Sequence, residues 1–153
     1  MTHKNSTLQP TGIARVMAFD FGMKRTGVAV GQTITGTANA LTTLTSRQPG
    51  QPDWTRIQKL LQEWRPDALV VGIPVNLDNK EQAITHAARG FAKKLRSRFQ
   101  LPVFEVDERL TSKAANREFI QARQNGQARR KDIKKLDAHA AKHILETWLK
   151  TLQ

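Results

Sequence analysis

Residues 16–30 read VMAFDFGMKRTGVAV. Val16–Phe21 is a short apolar run with one carboxylate, Asp20, inside it, and Thr26–Val30 is a second run. Gly22-Met23-Lys24-Arg25 lies between them. Two strand-type runs joined by a short glycine-containing link predict a β-hairpin. A weaker, Thr-rich run at Ala40–Leu44 predicts a third strand, and Pro49-Gly50-Gln51-Pro52 then breaks the chain.

Beyond the hairpin the periodicity changes. Asp53 is a suitable N-cap for a helix carrying Trp54, Ile57, Leu60, Leu61 and Trp64 at spacings of three and four, and Pro66 stops it. Ala68–Ile73 (ALVVGI) is a continuous apolar run, as expected of a central strand covered on both faces. Pro74 ends it and Asn76–Asn79 makes a turn. A helix over roughly Lys80–Phe99 shows an apolar face of Ile84, Ala88, Phe91 and Leu95. Pro102–Val106 predicts another strand, and Thr111 or Ser112 caps a helix to about Arg123. Residues 125–135 are polar and basic, and the last helix is expected over about Leu136–Leu152. The order β-β-β-α-β-α-β-α-α implies an α/β fold: one mixed five-stranded sheet, antiparallel over its first three strands and parallel thereafter, with helices on both faces.

The chain has 153 residues, enough for one domain. Residues 1–13 are expected to be a mobile tail, and residues 14–153 a single domain. Lys and Arg number 25 against 13 Asp and Glu, a net charge of +12 that points to a polyanionic partner. With no cysteine there is no disulfide framework, thiol nucleophile or Cys-ligated zinc. A reducing cytoplasm is the expected compartment. No apolar run approaches a membrane span and the polar N-terminus has no signal-peptide core, so no membrane partner is expected. His139 and His143 stand four apart, but lack the intervening Glu of HExxH and a third soft ligand.

The acids stand in unusual places. Asp20 is inside a strand, and a period of two puts it on the face opposite Phe19 and Phe21, beside Ala18. A charge there is costly unless it is paired or metal-bound. Asp107 and Glu108 leave the C-terminal end of a later strand, the end where ligand sites form in open α/β sheets. Asp137 opens the last helix on the stripe of Ala141, Ile144 and Trp148, facing the sheet. Each acid alone has an ordinary reading: a turn acceptor, a solvated strand end, an acid at a helix N-terminus. Together they could converge, and convergent carboxylates need a cation. Magnesium or manganese prefers oxygen ligands, and a two-ion clamp can cleave phosphodiesters by in-line attack of water.

Four blocks resemble one family. DFGMKRTGVAVG resembles the first hairpin of the YqgF/RuvX family, GIPVNLDNKEQ its middle segment, VDERLTS its D-E-R segment and KKLDAHAAKHILETWL its terminal helix. The resemblance runs from about Val16 to Leu149. It implies an RNase H-like fold related to the RuvC resolvases. It also implies nuclease activity on Holliday junctions or at the 5′ end of pre-16S rRNA. Carried onto this sequence, the candidate catalytic residues are Asp20, Asp107, Glu108 and Asp137. The metal ligands that the resemblance implies are Asp20, Asp137 and either Asp107 or Glu108, Glu108 being favoured. RuvC-type enzymes place a Glu in the strand that here reads ALVVGIP. This chain has Gly72 in that neighbourhood, so the DER segment must supply the missing carboxylate.

Lys24, Arg25, Arg109, Arg129, Arg130, Lys131, Lys134 and Lys135 are the candidate nucleic-acid contacts, because they flank those acids in sequence. The expected partner is structured RNA, such as the pre-ribosome, or branched DNA, bound by a monomer or weak homodimer. Two rival readings are a non-catalytic RNA-binding assembly factor and an actin-like ATPase. The latter clamps nucleotide between two domains, and this length provides one.

Overall fold

The computed structural model describes residues 12–75, 83–108 and 130–152, the side chains of 130–134 excepted. The first hairpin forms as the pattern requires. β1 (Arg15–Phe21) and β2 (Arg25–Gln32) pair antiparallel, with Asp20 opposite Gly27 and Phe21 opposite Thr26. β3 (Thr37–Thr45) pairs antiparallel with β2, through an irregularity at Val28/Ala29. Helix α1 (Trp54–Trp64) then carries the chain across to β4 (Ala68–Ile73), which runs parallel to β1. Helix α2 (Ala83–Phe99) makes the second crossover, to β5 (Val103–Asp107), parallel to β4. The sheet order is β3-β2-β1-β4-β5. Helix α3 (Arg130–Lys150) closes the described chain.

Local chemistry sets the boundaries. The Asp53 carboxylate accepts from the Arg56 N–H at 3.2 Å and caps α1. Arg65 ends that helix in the left-handed region (φ 48), its N–H returning to the Leu61 carbonyl at 2.8 Å before Pro66 blocks continuation. Asp67 accepts from the backbone N–H groups of Ala14 and Arg15 at 2.9 and 3.0 Å, which ties the start of β1 to the start of β4.

The sheet has two buried faces. Met17, Phe19, Phe21, Val28, Leu69 and Val71 pack beneath α1 and α2. Val16, Ala18, Ala29, Ala68 and Val70 pack beneath Ala141, Ile144, Leu145 and Trp148 of α3. Burying β1 and β4 on both sides makes them the apolar runs they are in sequence.

Three expectations change. The last helix starts at Arg130 rather than near Leu136. Arg and Lys are good helix formers, no Gly or Pro interrupts residues 130–136, and Ile133 extends the apolar spacing backwards. Asp137 therefore lies about two turns inside the helix, beyond the reach of a terminal dipole. Ile13, taken with the tail, is buried in the α3-side core. The early strands run one to three residues longer at each free end than their apolar runs. The expected turn at 76–79 and the helix over 112–123 fall outside the described residues. Among the described residues no helix is long and apolar enough to cross a membrane.

Candidate active site

Asp20 falls on the α3 side of the sheet, as the alternation of β1 requires, since Ala18 packs beneath α3 and Phe19 and Phe21 do not. Its neighbours across the sheet have no side chains. Gly27 of β2 is its antiparallel partner, and continuing the β1–β4 register one step past Phe19–Val71 brings Gly72 level with it. Both gaps are used. A Cβ on Gly27 would overlap the Asp137 carbonyl oxygen, so glycine lets the α3 backbone lie directly on β2 and brings Asp137 beside the hairpin. A Cβ on Gly72 would stand 2.7 Å from Glu108 Oε2 and would overlap Ile144. Glycine at 72 therefore leaves room for a carboxylate delivered from the neighbouring strand.

That carboxylate belongs to Glu108. Phe104 of β5 packs its ring 5.2 Å from Trp148 of α3, and Val106 lies in the same layer. The period of two sends Glu108 after them, and it is only 3% exposed. The Glu108 N–H donates to the Ile73 carbonyl at 3.2 Å, which fixes where the side chain leaves the strand. Glu105 turns the other way, toward Arg89 and Arg96 of α2 at 3.8 and 3.6 Å. Asp107 follows the same alternation as Glu105 and is exposed. The structure thus pairs Glu108 with Asp20, sets Asp137 within electrostatic reach of Asp20, and leaves Asp107 exposed, where its charge is felt by Glu108.

Burial pushes the Asp20 carboxyl up to about 7, with a further push from Asp137, while a hydrogen bond from Glu108 pulls it back. Glu108 is pushed up to about 10, first by burial and then by the charges of Asp20 and Asp107. Of the two, Glu108 is the more strongly held in its protonated form, donating a hydrogen bond to Asp20. Glu108 Oε2 is buried with no hydrogen-bond partner. Burial also raises Asp137, against the opposing pull of Arg25.

Arg25, a candidate nucleic-acid contact in the sequence, is paired with a carboxylate of the candidate site. Its Nε donates to Asp137 Oδ2 at 2.7 Å. Lys24 is exposed in the hairpin turn, and Lys135 is exposed two residues before Asp137. Arg130, Lys131 and Lys134 lie on the first turns of α3, where side chains are not described; Arg109 and Arg129 lie outside the described residues. His139 is exposed and lines an open groove of about 570 Å³ with Ala40–Thr43 of β3, Lys135 and Ala138.

Among the described residues no three Asp, Glu or His side chains are grouped closely enough to hold one ion. Asp137 is turned onto Arg25 and Glu108 onto Asp20. The donor set nevertheless fits a hard divalent cation. It offers carboxylate oxygens from two strand ends and a helix, a buried oxygen without a partner, and mutual repulsion that a cation would relieve. The close approach at Gly27 and the Arg25–Asp137 pair escaped the sequence reading, which had read Gly72 only as the place of a missing carboxylate. A glycine inside each of two apolar strand runs was the available signal for close approach.

Residues 14–151 match the family model described as "RuvX: Holliday junction resolvase". A Coxiella burnetii protein named "Putative pre-16S rRNA nuclease" is 53% identical over 133 residues, covering 87% of this chain and 90% of that one. A protein of the same name from Hydrogenovibrio crunogenus is 45% identical over 137 residues, covering 90% and 94%. Among solved structures, "T. thermophilus RuvC in complex with Holliday junction substrate" superposes with a TM-score of 0.54 at 18% identity, covering 90% of this chain and 94% of that one. At that identity the likeness concerns the fold, and it places the sheet in the RNase H-like class.

Proposed function

The chain belongs to the RuvX family, and from that membership we propose that it is a metal-dependent endonuclease hydrolysing phosphodiester bonds in structured nucleic acid. The favoured substrate is the 5′ end of pre-16S rRNA, because relatives sharing about half of their residues with this chain carry that name. Branched, Holliday-type DNA is the second, from the family description. One observation carries the catalytic reading: Asp20 lies within an apolar strand against the Glu108 carboxyl, which is 3% exposed and keeps one buried oxygen without a partner. Perturbed carboxyls of that kind concentrate at functional sites. A protein that only bound RNA would gain nothing from burying them.

Asp20, Glu108 and Asp137 would hold magnesium or manganese. Two such ions, when bound, supply an activated water and stabilise the leaving oxygen. The protein's own part is to fix the geometry. β1 and β5 deliver Asp20 and Glu108 from rigid strand ends, and the glycines at 27 and 72 set the approach of α3 and of the Glu108 carboxylate. Lys24 and Lys135 stand exposed on either side to receive backbone phosphates. The groove between β3 and α3 supplies a path for the strand, with His139 on its wall. Arg109, Arg129, Arg130, Lys131 and Lys134 extend the same basic surface in this reading. In this reading a single domain, which takes in Ile13 as well as the residues from 14 onward, works in the cytoplasm as a monomer or weak homodimer.

The test is cleavage of a labelled pre-16S rRNA fragment and of a four-way junction, in Mg2+ and in Mn2+, by the wild type and Asp20→Asn. The wild type cleaves at least one of them, and the variant is slower by roughly a hundredfold or more. Equal rates would reject the assignment. Tight RNA binding without cleavage under either metal would favour an assembly factor. Saturable ATP hydrolysis without cleavage would favour the actin-like reading.

A further inference from the structure

We propose that Arg25 is an internal counter-ion of the candidate metal site, holding Asp137 until a substrate phosphate takes the guanidinium over. The proposal rests on the nuclease reading and adds a coupling between substrate and metal that the reading alone does not contain.

The geometry supplies the parts. Arg25 opens β2 and shares its parity with Gly27, so it lies on the α3 side of the sheet, the side of Asp20. Its Nε bonds Asp137 Oδ2 at 2.7 Å across a sequence separation of 112. The two side chains are 35% and 25% exposed, so the pair can be reached and opened from solvent. Asp20 and Glu108 form their own hydrogen-bonded pair, and among the described residues no three carboxylates share an ion position. The third candidate ligand is thus engaged elsewhere.

The chemistry then follows. A guanidinium and a divalent cation compete for the same carboxylate and repel one another at close range. The bond to Asp137 uses Nε, and a guanidinium has five donors in a fork that suits phosphate. A backbone phosphate arriving beside the hairpin turn gives Arg25 a second anionic partner and frees Asp137. Metal and substrate then bind with positive coupling, and the coupling is reciprocal. Arg25 is a positioning residue in this scheme, acting through Asp137.

The test is Mn2+ affinity measured calorimetrically for the wild type, Arg25→Gln, Arg25→Lys and Asp20→Asn. Each is titrated alone and with an uncleavable 2′-O-methyl RNA hairpin, the hairpin alone serving as blank. Without RNA, Arg25→Gln binds Mn2+ roughly two- to fivefold more tightly than the wild type, the size expected for loss of one partly exposed ion pair. Arg25→Lys, which keeps the cation, stays nearer the wild type. The hairpin tightens Mn2+ binding to the wild type by a larger factor than to Arg25→Gln. Should the Gln variant fold poorly by circular dichroism, Arg25→Met gives the same comparison. Unchanged or weaker Mn2+ binding in the neutral variants would overturn the proposal and leave the nuclease reading standing. Wild-type Mn2+ binding that Asp20→Asn does not weaken would remove the metal site itself, and the proposal with it.

Discussion

Asp20 and Glu108 place two carboxyl groups side by side where burial penalises both charges. In the unfolded chain these groups lose their protons near 3.8 and 4.5; in the folded, metal-free protein they do so near 7 and 10. Between those limits the folded state binds more protons than the unfolded state, so stability falls as pH rises. Their stabilising contribution is complete below about pH 4 and is lost progressively up to the folded values. Glu108→Gln cannot ionise. In EDTA at pH 8 it should melt several degrees above the wild type, since 1 kcal/mol is worth about 2–4 °C in a domain of this size. At pH 5 the gap should nearly close, and saturating Mn2+ should close it at pH 8 by stabilising the wild type. An equal gap at both pH values would show that the carboxyl is not held protonated. Asp20 was legible because a charge inside an apolar strand is expensive. The choice between Asp107 and Glu108 was left open, although the alternation of Phe104 and Val106 contains the answer once the α3 side is known. The Arg25–Asp137 pair was not legible, since no local pattern joins residues 112 apart.

At the scale of elements, α3 and the glycines beneath it decide the site. Gly27 and Gly31 stand on β2 under the helix, where a Cβ would overlap the Asp137 carbonyl at one position and press Leu145 Cδ2 at 2.9 Å at the other. Gly27→Ala should cost about 1–3 kcal/mol, because the obstacle is backbone and cannot rotate away. It should also lower activity more than stability explains, by moving Asp137. Gly90, within α2, is the contrasting case: nothing lies within 4 Å of a Cβ there. Gly90→Ala should stabilise by about 0.5–1 kcal/mol. Denaturant melts of the two variants check the pair, and shifts of the same sign would contradict this packing. Strand and helix identities were readable from period and punctuation. The start of α3 was not, because residues 130–135 are polar except for Ile133, too little to show a period, and helix propensity carried the element through them.

For the molecule as a whole, the proposed function divides the work between the +12 charge, which would gather a polyanion, and the acidic residues, which would act on it. Replacing Arg129, Arg130 and Lys131 together by Ala should weaken nucleic-acid binding and reduce its salt slope by about 1 for each phosphate left without its cation. A slope equal to the wild type's would return that segment to ordinary solvated surface. Basic composition could announce an anionic partner from sequence, but the side of the sheet that receives it depends on which strand ends lie together. The central claim is that Asp20, Glu108 and Asp137 form one metal centre. Anomalous diffraction from crystals soaked in Mn2+ tests it most directly. The expected result is a manganese peak at the carboxylates of Asp20, Glu108 and Asp137, with the Asp20–Glu108 hydrogen bond broken. Peaks only elsewhere, with the Asp20–Glu108 hydrogen bond intact, would contradict it.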